Sequence, residues 1–236
     1  MNFRKIASAA MAVVAAGFFV GPANASLVFK SSETFQGTGL GAVNTILTIT
    51  SPANTTTETG SVGRSTTATG DVITGDAMTG NSQTQTRTFG ELTLTSASSI
   101  RVVFNALEPG GTANSITLND LQLSLFSPTG ALLFNSGFFT PITFSDTQTG
   151  AGNSGFVFGL DATQAAQAQA AAFGAGFSIN NRVGIAATAT NATGGFETIF
   201  VANSGSGGGG TAIPEPGTIA LFGAGLLALA ARRRRS

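Results

Sequence analysis

SITLNDLQLSLFSPTGALLF, residues 115–134, decides the fold. Ile116 and Leu118 keep one phase of a two-residue alternation, and Leu121, Leu123 and Leu125 keep the other. Alternation at that period belongs to a β-strand with one face in a core. The change of phase at Asn119-Asp120 predicts a β-bulge that returns the second half to the same face; a ligand role for Asp120 is the competing reading. Ser127-Pro128-Thr129-Gly130 has the residues of a type I turn, with proline second and glycine fourth. The chain then doubles back into a strand over 131–134.

Before this stretch, Ile100, Val102, Phe104 and Ala106 alternate with Arg101, Val103 and Asn105, which predicts a half-buried strand entered through Phe89, Leu92 and Leu94. Similar patterns predict strands at 26–30, 44–50, 138–144, 156–160, 183–189 and 196–201, the last two joined by a turn-rich connection at 191–195. One segment reads as helix: Asp161 is an N-cap with Gln164 three residues on, an alanine-glutamine run follows to 172, and Gly174 ends it. Fifteen phenylalanines between Phe29 and Phe200 supply the bulk of the core. Many short strands, turn signals and one short helix make the expected fold mainly β, a single jelly-roll-like β-sandwich.

A stretch rich in Thr, Ser, Gly and Asn, 51–88, reads as an insertion into that sandwich. It carries three consecutive pentads that put Asp71, Asp76 and Asn81 after a glycine each. Oxygen ligands in glycine turns suit calcium; ordinary turn chemistry in a hairpin-forming or mobile segment is the plainer reading. Gly37-Thr38-Gly39-Leu40-Gly41 lacks the spacing of a dinucleotide fingerprint and reads as a loop.

Composition removes most chemistry. The chain has no histidine, cysteine, tyrosine or tryptophan, which excludes Ser-His-Asp and Cys-His catalysis, histidine acid-base work and ordinary zinc, copper or haem sites. A glycosidase-type carboxylate pair, a Ser-Lys dyad on Lys30, and an oxygen-ligand calcium site survive. Spacing brings no two carboxylates together, and Lys30 reads as a solvated strand edge. The expectation is therefore no enzyme and no cofactor. Residues 26–213 hold five basic and ten acidic residues, a net charge of −5, which argues against nucleic acid as a partner.

The two ends of the chain read as addresses. Arg4 and Lys5, an apolar run over 6–20, and Ala23-Asn24-Ala25 form a cleaved export signal that leaves Ser26 as the mature N-terminus, so 1–25 is a signal peptide for the secretion machinery and signal peptidase. The sandwich domain then covers 26–203 and a Gly/Ser linker 204–213. Next come Pro214-Glu215-Pro216, an apolar run over 217–231, and Arg232, Arg233, Arg234 and Arg235, whose charge retains that end in the cytoplasm. At about 1.5 Å per residue the apolar run spans roughly 22 Å, short of the roughly 30 Å hydrocarbon core, which suits a transient transmembrane anchor.

The Pro-Glu-Pro triplet, the apolar segment and the terminal arginines, in that order over 214–236, resemble the PEP-CTERM sorting signal of Gram-negative, biofilm-forming bacteria. The resemblance implies recognition by exosortase, an integral membrane protease-transpeptidase, removal of the tail after a passing stay in the inner membrane, and delivery to the cell surface or beyond. It also implies association with exopolysaccharide. The expected role is that of a non-enzymatic surface or matrix protein. The alternatives are a carbohydrate-binding sandwich, calcium-assisted or not, and a stably tail-anchored envelope protein.

Overall fold

Period-two alternation becomes two antiparallel sheets. The computed structural model describes residues 27–33, 44–80, 83–106, 115–145 and 155–204. The expected export signal with Ala23, Ala25 and Ser26, the expected loop at 37–41, Asn81, the expected linker beyond Ser204, and the tail with Pro214, Glu215, Pro216 and Arg232 to Arg235 lie outside the described residues.

The strands are β1 (Val28–Glu33), β2 (Thr45–Thr50), β3 (Thr57–Arg64), β4 (Asp71–Gly75), β5 (Arg87–Thr88), β6 (Ile100–Asn105), β7 (Ser115–Phe126), β8 (Leu132–Asn135), β9 (Ile142–Ser145), β10 (Gly155–Gly159), β11 (Arg182–Thr190) and β12 (Phe196–Asn203). One sheet runs β1-β10-β6-β12-β2 and the other β4-β3-β11-β7-β8, with β9 also on β7 and β5 on β11. Setting aside β1, β4 and β5, and letting β8 and β9 share one position, the first strand pairs with the last (β2 with β12). The second pairs with the seventh (β3 with β11), the third with the sixth (β6 with β10) and the fourth with the fifth (β7 with β8 and β9). That nesting is the jelly roll, a long antiparallel ribbon rolled into two facing sheets. Leu47, Phe104 and Ile199 of one sheet and Val62, Leu123 and Ile185 of the other meet in a single core.

The bulge is present. Pairing of β11 with β7 slips between Thr188, opposite Asp120, and Ala189, opposite Leu118, which leaves Asn119 as the extra residue. Asn119 Oδ1 accepts the Thr190 hydroxyl at 2.8 Å, and Asp120 accepts from the Gln122 amide at 2.8 Å. In the turn the Gly130 N–H donates to the Ser127 carbonyl at 3.0 Å. Gly130 has φ +87°, and a Cβ there would collide with the Ser65 carbonyl, so the position requires glycine. Helix α1 (Ala162–Ala168) starts where Asp161 accepts the Gln164 N–H at 2.7 Å, continues as a π-helical turn over Gln169–Phe173 and ends at Gly174. The capping box is half made. The Gln164 amide donates to the Ser136 carbonyl at 2.7 Å instead of returning to the cap, and so ties the helix to the end of β8.

Other expectations need correction. Val103 and Asn105 are buried like their inward neighbours, so β6 is covered on both faces; Val103, Val157 and Phe200 form a second apolar cluster on the outer side. Phe89, Leu92 and Leu94 are buried in turns rather than a strand. The strand expected over 138–144 shrinks to β9, and Phe138 stands 80% exposed. The stretch 51–88 is no appendage: it supplies β3, β4 and β5. Beyond β4 it runs along the open edge of β2, where the Met78 N–H donates to the Thr48 carbonyl and the Gln85 N–H to the Ile46 carbonyl, each at 2.9 Å. Covering that edge removes a row of unpaired backbone groups.

Candidate functional site

The pentad acids do not converge. Asp71 opens β4 opposite Arg64. Its carboxylate accepts the Thr86 N–H at 2.7 Å, the Thr86 hydroxyl at 2.6 Å and Arg64 at 3.4 Å. Arg182 donates to the same Thr86 hydroxyl at 2.6 Å and to the Thr86 carbonyl at 2.8 Å. Asp76 follows the other end of β4, where it accepts the Thr59 N–H at 3.1 Å. The strand between them is about 13 Å long at about 3.3 Å per residue, too far for one ion to bridge. Among the described residues no group of three or more acidic side chains is placed to hold a metal ion. Asp71 instead pins the segment after β4 to the sandwich.

Two acids that spacing did not single out lie inside the fold. Glu58 of β3 is 1% exposed and Glu197 of β12 is fully buried. The Ser51 hydroxyl donates to Glu58 Oε1 at 3.0 Å, while Glu58 Oε2 has no hydrogen-bond partner. A reaction on a glycan needs carboxylates that face a cleft, and these face the core. Glu91, by contrast, lies nearer the surface and has a displaced titration. Burial raises its carboxyl, but the Thr88 N–H and hydroxyl and the Arg87 guanidinium outweigh that and hold it below its ordinary value. Glu91 Oε2 accepts the Thr88 N–H at 2.7 Å and the Glu91 N–H returns to the Thr88 hydroxyl at 3.1 Å. This reciprocal Thr-x-x-Glu box was legible in the sequence, but the apolar residues around it drew the strand reading.

The outer face of the seven-stranded sheet is a field of hydroxyls and amides bonded across strands. Thr59 meets Thr188 at 3.3 Å, Ser61 meets Thr74 at 2.7 Å, Thr117 meets Thr143 at 2.9 Å, and the Asn135 amide meets Ser124 at 2.9 Å. Within it a shallow groove of about 250 Å³ is lined by Ser61, Gly63, Val72, Ser124, Phe126 and Ala186. The Phe126 ring crosses Gly63 and Gly184, where added Cβ atoms would meet it at 3.1 and 2.9 Å. The floor is flat because those two residues lack side chains.

The domain ends at β12, whose last residue, Asn203, pairs with Ile100 of β6, and the next, Ser204, donates its N–H to the Ser99 carbonyl at 2.8 Å. From there the chain runs to its tail, where a family model described as the PEP-CTERM protein-sorting motif matches residues 212–235. The chain carries a PEP-CTERM sorting motif. The match takes in Pro214, Glu215 and Pro216, the apolar run and all four arginines. The PEP-CTERM motif marks an exported protein processed by exosortase and sorted to the cell surface. Neither the curated proteins nor the solved structures contain a match to the chain. Among the described residues no helix is long and apolar enough to cross a membrane.

Proposed function

We propose that the jelly-roll domain is the cargo of this signal: a non-enzymatic surface or matrix protein, held briefly in the inner membrane by residues 217–231 and then released into, or attached within, exopolysaccharide. The PEP-CTERM match at 212–235 carries the reading. The side-chain chemistry supports it. The paired hydroxyls and amides on the seven-stranded sheet present a polar face of the kind that associates with a polyhydroxyl matrix through many weak contacts. Lys30 is exposed on the edge strand β1, and Glu58 and Glu197 are closed off from any substrate, which argues against the Ser-Lys and carboxylate-pair chemistries.

The groove over Gly63 and Gly184 favours a second reading, a carbohydrate-binding sandwich. Its one aromatic ring, Phe126, is 8% exposed and offers a sugar little stacking area. Glycan-array binding of the surface-released protein, with and without calcium, separates the two. No preference at any sugar is expected, and saturable binding to one polymer would overturn the structural role in favour of the groove.

A further inference from the structure

The end of the five-stranded sheet where the chain leaves for its tail is also its basic end. Four strands finish there side by side: Asn203 of β12 lies opposite Ile100 of β6, Phe158 of β10 opposite Val102 of β6, and Val28 of β1 opposite Gly159 of β10. At a strand spacing of about 4.8 Å, the start of β1 and the exit of β12 are about 14 Å apart. Lys30, the extra residue where pairing slips between Phe29 and Ser31, is exposed at this end. Arg101 stands next to it across Gly159. A Cβ on that glycine would meet Lys30 Cε at 3.0 Å and Arg101 Nη1 at 3.5 Å. Val28, 40% exposed, lies on the same side as the pair, opposite Gly159, while the Phe29 ring turns the other way, onto Phe144 and Phe158 of the core.

The other three basic residues of the domain are engaged elsewhere: Arg64 with Asp71, Arg87 with Glu91 and Arg182 with Thr86. Among the described residues neither Lys30 nor Arg101 forms an ion pair. The Arg101 guanidinium donates to the Ser98 and Ile100 carbonyls at 2.9 and 2.8 Å, which fixes its position without neutralising it. The acid that follows β10, Asp161, caps helix α1 by accepting the Gln164 N–H and forms no ion pair with either cation. An otherwise acidic domain thus keeps two cations that form no ion pair among the described residues, with the exposed Val28 beside them, where the tail is attached.

We infer that this end is a docking surface for anionic phospholipid headgroups, and that it holds the domain against the inner membrane until the tail is cut. The inference rests on the reading of 217–231 as a membrane segment. Residues 204–213 span at most about 35 Å, so the patch is confined near the surface at an effective concentration in the millimolar range. Each cation near an anionic surface is worth about a fivefold shift in population, about thirtyfold for the pair. That is decisive for a tethered domain and negligible for a free one of net charge −5. Trimming the tail therefore also ends the lipid contact.

The test uses full-length protein from a host without exosortase, reconstituted into vesicles of phosphatidylcholine alone or mixed with phosphatidylglycerol. The chain has no cysteine, so single dyes go on Ser32→Cys, beside the patch, and on Ala53→Cys, in the loop at the far end of the sheet, with an acceptor in the headgroups. Transfer from position 32 should rise when phosphatidylglycerol is added, and transfer from 53 should not. The gain should vanish at 1 M salt, where the screening length is about 3 Å. Lys30→Glu, with an unchanged circular dichroism spectrum, should cut the docked population at least fivefold. Transfer that ignores lipid charge, or a gain that survives Lys30→Glu, overturns the docking surface while leaving the tail reading intact. Failure to float with either vesicle overturns the tail reading and the docking surface together.

Discussion

Phe104 and Asp71 separate what alternation reveals from what it hides. Phe104 was legible: its phase in 100–106 puts it inward, and it is fully buried, stacked on Phe156 with ring centroids 6.3 Å apart. Phe104→Ala should therefore cost about 3–5 kcal/mol in denaturant unfolding, and a loss below about 1 kcal/mol would contradict its burial. Asp71 was legible only as an acid after a glycine. Its carboxylate serves the buried Thr86, whose N–H would be orphaned by truncation. Asp71→Ala should cost about 2–4 kcal/mol, by the same amount in calcium and in chelator; a cost seen only in calcium would restore the metal reading. Glu58 and Glu197 stayed hidden because an acid on a strand is read as facing solvent unless its partner across the sheet is known.

At the scale of elements, the bulge at Asn119 and the turn at 127–130 were readable because each is written in a few neighbouring residues. The strand β3, TETGSVGR, was not. Its inward positions are Glu58, Gly60 and Val62, so it has no apolar stripe. Gly60 faces the core because Ile49 of the opposite sheet fills that space: a Cβ on Gly60 would come within 2.6 Å of Ile49 Cγ2. Small-to-large fit between sheets is a property of the packed pair and leaves no period in either strand. The outward burial of Val103 was hidden likewise, since its neighbours Val157 and Phe200 come from distant strands. Helix α1 had the clearest local signal. Asp161→Ala removes the acceptor for the Gln164 N–H and should cost about 0.5–2 kcal/mol. Asp161→Asn should recover most of that loss, and equal losses in both variants would contradict a capping role.

At the scale of the molecule, the fold and the address are written in different parts of the chain and by different rules. The jelly roll is assembled from pairings between strands far apart in sequence and needs no disulfide, since the chain has no cysteine. The address is local and contiguous, which is why it could be read directly and why the family model finds it at 212–235. On the function proposed above, this motif, rather than hydrophobicity alone, decides the fate of the domain. Replacing Pro214, Glu215 and Pro216 together by alanine leaves the apolar run and the arginines unchanged. The direct measurement is the intact mass of parent and triple variant, each recovered from the cell-surface and inner-membrane fractions of the same exosortase-bearing cells. The parent should appear at the surface with its apolar tail removed, and the triple variant should stay in the inner membrane at the mass that retains 217–236. A triple variant trimmed and displayed like the parent would contradict the account.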